Sequence, residues 1–323
     1  MIVKQRRQPI PGPTSGVCPQ CGRRLPAYGG QCLCGWLIPT DTTTGVWLDQ
    51  VAERQPGTFR LAHLSDLHVG ALGPHGLSAR DRLYMILEAV RDVGTDHLLV
   101  TGDVSRVGLP EEMHAAEATL TAGGFPPSKR TVIPGNHDLQ ESMDLSIYEA
   151  HFTERTPCVK KLSEGVWLGA VDSNAVARQQ RSLIFERLIA PVQGQVGDKS
   201  LAAIYEELST KEGVKLLALH HHLARHAPED LNSRWDVAWG TKVGKVLLDP
   251  VIDAAAVLNL ARELGISAIY HGHKHWYGKT GYRVGGVPVF NAGSTTLMER
   301  PRFRTFDFLG NQWVAIHEVQ LTL

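Results

Sequence analysis

Phe59-Arg60-Leu61-Ala62-His63-Leu64-Ser65-Asp66-Leu67-His68 is the stretch that decides the fold. Its first six residues predict a β-strand, and the strand breaks at once into Ser, Asp and His. The same order recurs downstream. His97-Leu98-Leu99-Val100 predicts a buried strand ending in Thr101-Gly102-Asp103. Arg130-Thr131-Val132-Ile133 ends in Pro134-Gly135-Asn136-His137-Asp138, and Val166–Val171 ends in Asp172-Ser173-Asn174. Lys215–Leu219 runs into His220-His221-His222, and Ala268-Ile269-Tyr270 into His271-Gly272-His273-Lys274-His275.

Helical periodicity fills the gaps. Leu83, Ile86, Leu87 and Val90 share one face of a helix over 79–93, with Ser78 as N-cap, Asp81 three residues on and Gly94 just past the end. Residues 111–122 read as a second helix. Leu201, Ile204, Tyr205 and Leu208 mark a third, and Val257, Leu260, Ala261 and Leu264 a fourth, stopped by Gly265. The last 40 or so residues predict strands at 287–290, 302–309 and 312–319. Strands alternating with helices make an α/β layered fold. In such folds ligands bind outside the carboxyl ends of the strands, where the polar clusters of this chain lie.

Seven side chains at those strand ends are metal-ligand types: Asp66, His68, Asp103, Asn136, His220, His273 and His275. Each alone reads as turn chemistry or a helix cap. Together, each behind an apolar strand, they point to two divalent transition metals, with Asp103 able to bridge through its two oxygens. Two such ions bring four positive charges and the two aspartates remove two. The remainder suits a hydroxide plus a phosphodiester monoanion, the substrate of two-metal hydrolysis with ions ~3.5–4 Å apart.

The ordered set Asp66-Leu67-His68, Gly102-Asp103, Gly135-Asn136-His137-Asp138, His220 and Gly272-His273-Lys274-His275 resembles the calcineurin-like metallophosphoesterases, over about residues 58–298. Asn291-Ala292-Gly293-Ser294 is similar to that family's segment after its last motif. The resemblance implies a four-layer α/β sandwich of two mixed β-sheets flanked by helices. It implies Asp66, His68 and His275 on a first metal, Asn136, His220 and His273 on a second, and Asp103 between them. The metals would be Mn, Fe or Zn, and the nucleophile a metal-bridging hydroxide. His137 would be catalytic without being a ligand, serving the leaving-group oxygen. His220 is the preferred ligand of its triplet, with His221 and His222 facing the substrate or supporting the ligands.

Departures narrow the branch. Val104-Ser105-Arg106 follows Gly102-Asp103, in place of the G-D-x-x-D-R-G of Ser/Thr protein phosphatases or the G-D-x-x-Y of purple acid phosphatases. That leaves the phosphodiesterase branch. Leu223 stands where the family commonly has a proline. Arg106, His221 and His75 are candidate substrate contacts, and His226, Trp276 and Tyr277 are weaker ones. His63, His97, His114, His151 and His317 read as surface or paired core residues, and Cys158 as a small core residue.

Residues 1–56 form a separate module and linker ahead of a catalytic domain at 57–323. Cys18-Pro19-Gln20-Cys21 and Cys32-Leu33-Cys34 have the pairing of a structural zinc site, with disulfides or a redox dithiol as the alternative. The segment resembles a zinc ribbon. Lys4, Arg6, Arg7, Arg23 and Arg24 make it locally basic, so nucleic acid is a candidate partner, and a nuclease guided by the ribbon is the alternative function. A non-catalytic scaffold is the rival from another class; the full ligand set argues against it.

The 323 residues carry 33 basic and 33 acidic side chains, so overall charge demands neither nucleic acid nor an anionic membrane. With 43 % hydrophobic and 20 % charged residues, composition excludes a disordered or fibrous chain. No apolar run reaches the ~18–20 residues of a membrane span and no signal-peptide pattern opens the chain, so the expected compartment is the cytoplasm. Oligomeric state is not legible.

Overall fold

The computed structural model describes residues 54–142, 144–175, 194–224, 251–275 and 281–321. The Cys18, Cys21, Cys32 and Cys34 cluster, His226, Trp276 and Tyr277 lie outside these residues.

The first half alternates as the sequence predicts. β1 (Phe59–Leu64) leads to α1 (Ala79–Asp92), β2 (His97–Thr101), α2 (Pro110–Ala122), β3 (Arg130–Ile133) and a short α3 (Ser146–His151). Then come β4 (Cys158–Ser163), β5 (Val166–Ala170), α4 (Asp198–Ser209), β6 (Val214–Ala218), α5 (Ala254–Glu263) and β7 (Ala268–His271). β8 (Tyr282–Val284), β9 (Val287–Asn291), β10 (Arg302–Leu309) and β11 (Gln312–Gln320) close the order. Helix α1 starts where expected: Ser78 Oγ accepts from the Asp81 amide at 3.1 Å and donates to the Asp81 carboxylate at 2.7 Å.

Two mixed sheets result. One has the order β11-β10-β1-β2-β3, parallel from β1 to β3 and antiparallel through β10 and β11. The other has the order β4-β5-β6-β7-β9-β8, with antiparallel strands only at its edges. Each sheet carries helices on one face and packs on the other sheet with its second face. Leu61, Leu99, Ile133, Phe306 and Phe308 meet Leu168, Leu216, Ala218, Tyr270 and Phe290 between the sheets. Leu83, Ile86, Leu87 and Val90 of α1 cover the first sheet, and Ile204, Leu208, Val257 and Ala261 of α4 and α5 cover the second. Four layers follow, and strands such as β2 and β6 read as unbroken apolar runs because both their faces are covered.

Three elements are not legible in the sequence. β4 lies on a sheet edge and is half-buried along its length, so Lys160 and Lys161 break any alternation. β8 and α3 are too short to show a period. Cys158 opens β4 and packs, half-buried, against the core between the sheets, at its margin and not inside it. Leu223, by contrast, is buried in the core under α4 and α5.

A buried ion pair joins the neighbouring strands β1 and β10 of the first sheet. Arg60 Nε and Nη2 reach the two carboxylate oxygens of Asp307 at 2.6 and 2.7 Å, and His317 Nε2 lies 3.1 Å from Oδ2. Burial opposes ionisation of Asp307, but the Arg60 guanidinium and His317 hold its pKa at about 2. Asp307→Ala strands the Arg60 charge and is expected to cost about 3–5 kcal/mol in a denaturant titration. The carboxylate's contribution is present above the ordinary aspartate pKa of about 3.9 and is lost as pH falls towards its depressed folded value. The variant is therefore expected to lose less stability than wild type on going from pH 5 to pH 2.

Candidate metal centre

All seven candidate ligands stand at the carboxyl ends of strands, on one edge of the sandwich. Asp66 and His68 follow β1, Asp103 follows β2, Asn136 follows β3, His220 follows β6, and His273 and His275 follow β7.

One oxygen or nitrogen from each of Asp66, His68, Asp103 and His275 lies within 4.8 Å of the others. The Nε2 atoms of His68 and His275 are 2.9 Å apart, His275 Nε2 is 3.5 Å from Asp66 Oδ1, and His68 Nε2 is 3.8 Å from Asp103 Oδ2. The second group is equally close. His220 Nε2 is 3.4 Å from Asp103 Oδ1 and 3.0 Å from Asn136 Oδ1, and His273 Nδ1 is 2.9 Å from the same amide oxygen. Asp103 thus gives one oxygen to each group. Ligand atoms around an ion with ~2.0–2.2 Å bonds lie about 3–3.5 Å apart, so this spacing suits cations better than hydrogen bonds between neutral imidazoles.

The electrostatics point the same way. Asp66 is fully buried, its Oδ1 has no hydrogen-bond partner, and burial pushes its carboxyl up to about 7. A buried carboxylate oxygen without a partner is costly unless a cation meets it. Burial also drives His68 down to about 3, His275 to about 4 and His273 well below its ordinary value, which favours the neutral, ligating form. His220 is the exception: burial would lower it, but the Asp103 carboxylate beside it lifts it to about 9. The donor set therefore fits a pair of divalent transition metals.

Backbone geometry marks the same residues. Among the described non-glycine residues, those with positive φ are Asp66 (51°), His68 (43°), Asp103 (51°) and His273 (66°). Each such conformation costs of order 1–3 kcal/mol and concentrates at functional sites. No sequence pattern announces it. Two motif glycines are explained by close approach. A Cβ at Gly135 would sit 2.2 Å from Asp103 N and Oδ1, and one at Gly272 would sit 1.7 Å from Ser65 Oγ.

The supporting bonds settle ring orientations. His220 Nδ1 lies 2.7 Å from the Thr101 carbonyl, which can only accept, so Nδ1 carries a proton and Nε2 faces Asp103. His137 donates Nδ1–H to the Arg106 carbonyl at 2.7 Å, its amide donates to Asp103 Oδ1 at 2.8 Å, and its ring meets His68 edge-on at 4.7 Å. Asp138, to which sequence reasoning assigns no role, is buried and accepts from the amides of Val104, Ser105 and Gly135. It thereby locks the loop after β2 onto the loop after β3.

Within the triplet, His220 reaches Asp103 and Asn136. His221 instead packs its ring 4.6 Å from that of His273, and its Nδ1 shares a hydrogen bond at 2.8 Å with Ser173 Oγ, which also accepts from the His221 amide. His222 stacks on His273 at 5.8 Å. Arg106 is exposed beside His137, and His75 lies in a short turn, Pro74–Gly76, after β1.

A family model described as calcineurin-like phosphoesterase matches residues 59–277. The chain belongs to the calcineurin-like phosphoesterase family. One solved structure supports the fold. A dimetal phosphatase from Danio rerio is 11 % identical, with a TM-score of 0.54, over 82 % of this chain and 98 % of that one. Two others fall below a TM-score of 0.5. GAP50, the anchor in the inner membrane complex of Plasmodium, is 10 % identical at 0.47, over 82 % of this chain and 90 % of that one. The purple acid phosphatase from yellow lupin (Lupinus luteus) is 12 % identical at 0.43, over 79 % and 50 %. The comparison with curated proteins found no match. Among the described residues no helix is long and apolar enough to cross a membrane.

Proposed function

We propose that this member of the calcineurin-like phosphoesterase family hydrolyses phosphodiesters with two divalent metals. Asp66, His68 and His275 would hold the first, Asn136, His220 and His273 the second, and Asp103 both. The observation that carries this is Asp103, whose two oxygens lie 3.8 and 3.4 Å from imidazoles of different groups. When bound, the metals supply Lewis-acid polarisation of the phosphate and a water nucleophile at neutral pH.

The chain's own residues do the rest. Asp103 sets the spacing of the two groups. His137 donates Nδ1–H to the Arg106 carbonyl, which turns Nε2 to the leaving-group oxygen; when the ring carries a second proton, Nε2–H can donate it there. Arg106, exposed beside it, adds positive charge for the substrate's phosphate. His221 supports His273 from behind.

The diester preference rests on sequence: Val104-Ser105-Arg106 follows Asp103 in place of the protein-phosphatase and purple-acid-phosphatase motifs. The amides of Val104 and Ser105 are committed to Asp138, so this loop braces the site. Full-length protein loaded with Mn, Fe or Zn is expected to cleave bis-p-nitrophenyl phosphate faster than p-nitrophenyl phosphate. A faster monoester would contradict the diester assignment.

Residues 1–56 are proposed as a separate module with structural zinc on Cys18, Cys21, Cys32 and Cys34, ahead of a catalytic domain at 57–323. The proposed compartment is the cytoplasm, where such thiols stay reduced. Cys18→Ser with Cys21→Ser is expected to release one zinc per chain in metal analysis and leave the other two ions bound. Unchanged zinc content would exclude the site.

A further inference from the structure

The loop after β9 packs under the candidate metal centre through three consecutive hydroxyl residues. Ser294 Oγ donates to the Asp66 carbonyl at 3.0 Å, and Thr296 Oγ1 donates to the Leu67 carbonyl at 2.5 Å. Between them, Thr295 Oγ1 accepts from the Ser65 amide at 3.1 Å while the Thr295 amide donates to the Ser65 carbonyl at 3.0 Å. The Ser294 amide also donates to the His275 carbonyl at 3.1 Å. All three side chains are buried. Arg82 of α1 fixes this loop in turn, giving Nε to the Thr296 carbonyl at 2.6 Å and Nη2 to that of Met298.

Every one of these bonds from residues 294–296 ends on Ser65, Asp66, Leu67 or His275. Asp66 and His68 are residues held at left-handed φ, a conformation that persists only where the surroundings impose it. The second group leans on this turn less directly: His220 is held by the Thr101 carbonyl, which also accepts from Ser65 Oγ at 2.9 Å, and the His273 amide donates to Asp66 Oδ2 at 3.1 Å.

We infer that Ser294, Thr295 and Thr296 form a positioning clamp that acts chiefly on the first metal, pinning the Ser65–His68 turn so that Asp66, His68 and His275 converge. The clamp rests on the dinuclear reading and deepens it. Its members touch neither metal nor substrate; they act through the ligands' backbone. Partners of this kind typically set metal affinity by 10–100-fold.

The test is a manganese titration of the full chain, read by the electron paramagnetic resonance of free Mn²⁺. Each variant is measured in Asn136→Ala, where the first position remains, and in His275→Ala, where the second remains. Thr296→Val keeps the shape but leaves the buried Leu67 carbonyl without its donor. It is expected to weaken first-position binding by ~10–100-fold and the second position by clearly less, since the turn reaches that group through the His273 amide and the Thr101 carbonyl. Thr296→Ser restores the hydroxyl and is expected to restore affinity. Ser294→Ala removes a single bond and is expected to act in the same direction, which keeps the test open if Thr296→Val does not fold. Equal weakening at both positions, or none at the first while wild type binds two ions, overturns the clamp. A wild-type chain that takes up no manganese overturns the dinuclear reading itself, and the clamp with it.

Discussion

Asp103→Ala is expected to bring bis-p-nitrophenyl phosphate hydrolysis down by roughly 10⁴-fold or more and to lower metal content at both positions. The reason is the division of its oxygens. Oδ2 faces His68 and Oδ1 faces His220, while the side chain itself is buried. Removing it takes one ligand from each group at once and one of the two negative charges that offset the ions. Burial opposes its ionisation, but His220, His137 and His68 hold its carboxyl well below the usual range, so it is anionic at neutral pH. Asp103→Asn separates charge from shape. It can still accept from the His137 amide, yet it turns an amide NH₂ on one of the two groups, so the expected result is retention of one ion and loss of the other. Metal analysis of the folded variants decides. Wild-type turnover in Asp103→Ala would refute the bridging role.

His137→Ala is expected to keep both metals and to slow diester cleavage by ~10²–10⁴-fold. Its amide bond to Asp103 survives the substitution, since that contact is backbone to side chain. What disappears is an imidazole whose Nδ1 proton is committed to the Arg106 carbonyl and whose other nitrogen is available. A proton donor matters most where the departing oxygen is a poor leaving group. The loss should therefore be larger for a dialkyl phosphodiester, which must expel an alkoxide, than for bis-p-nitrophenyl phosphate. Loss of a metal ion in His137→Ala would make this histidine a ligand, and an equal loss on both diesters would exclude proton donation.

Much of this centre is legible in the amino-acid sequence because its chemistry sits where strands end. A run such as His97–Val100 reads as a strand on hydrophobicity alone, and the Gly102-Asp103 after it needs no long-range information to be noticed. Helix α1 is equally local: periodicity, N-cap and terminal glycine all lie within 78–94. What escapes the sequence depends on contacts between distant segments. Asp138 looks like one more turn residue until its carboxylate is seen holding Gly135, Val104 and Ser105 together. Ser294, Thr295 and Thr296 are more than 200 residues from the turn they brace, and three hydroxyls in a loop carry no periodic signal. The left-handed backbone of Asp66, His68, Asp103 and His273 is likewise a product of assembly. Edge strand β4 is obscured for a different reason: half-exposed on both faces, it never needed an alternating pattern.

The central claim is that two ions share Asp103. Anomalous diffraction at the manganese edge, from crystals of the full chain grown with Mn²⁺, tests it directly. Two peaks are expected, one enclosed by Asp66, His68 and His275 and the other by Asn136, His220 and His273, with the Asp103 carboxylate between them. No peak there, or a single peak that leaves one of the two groups empty at saturating manganese, would contradict it.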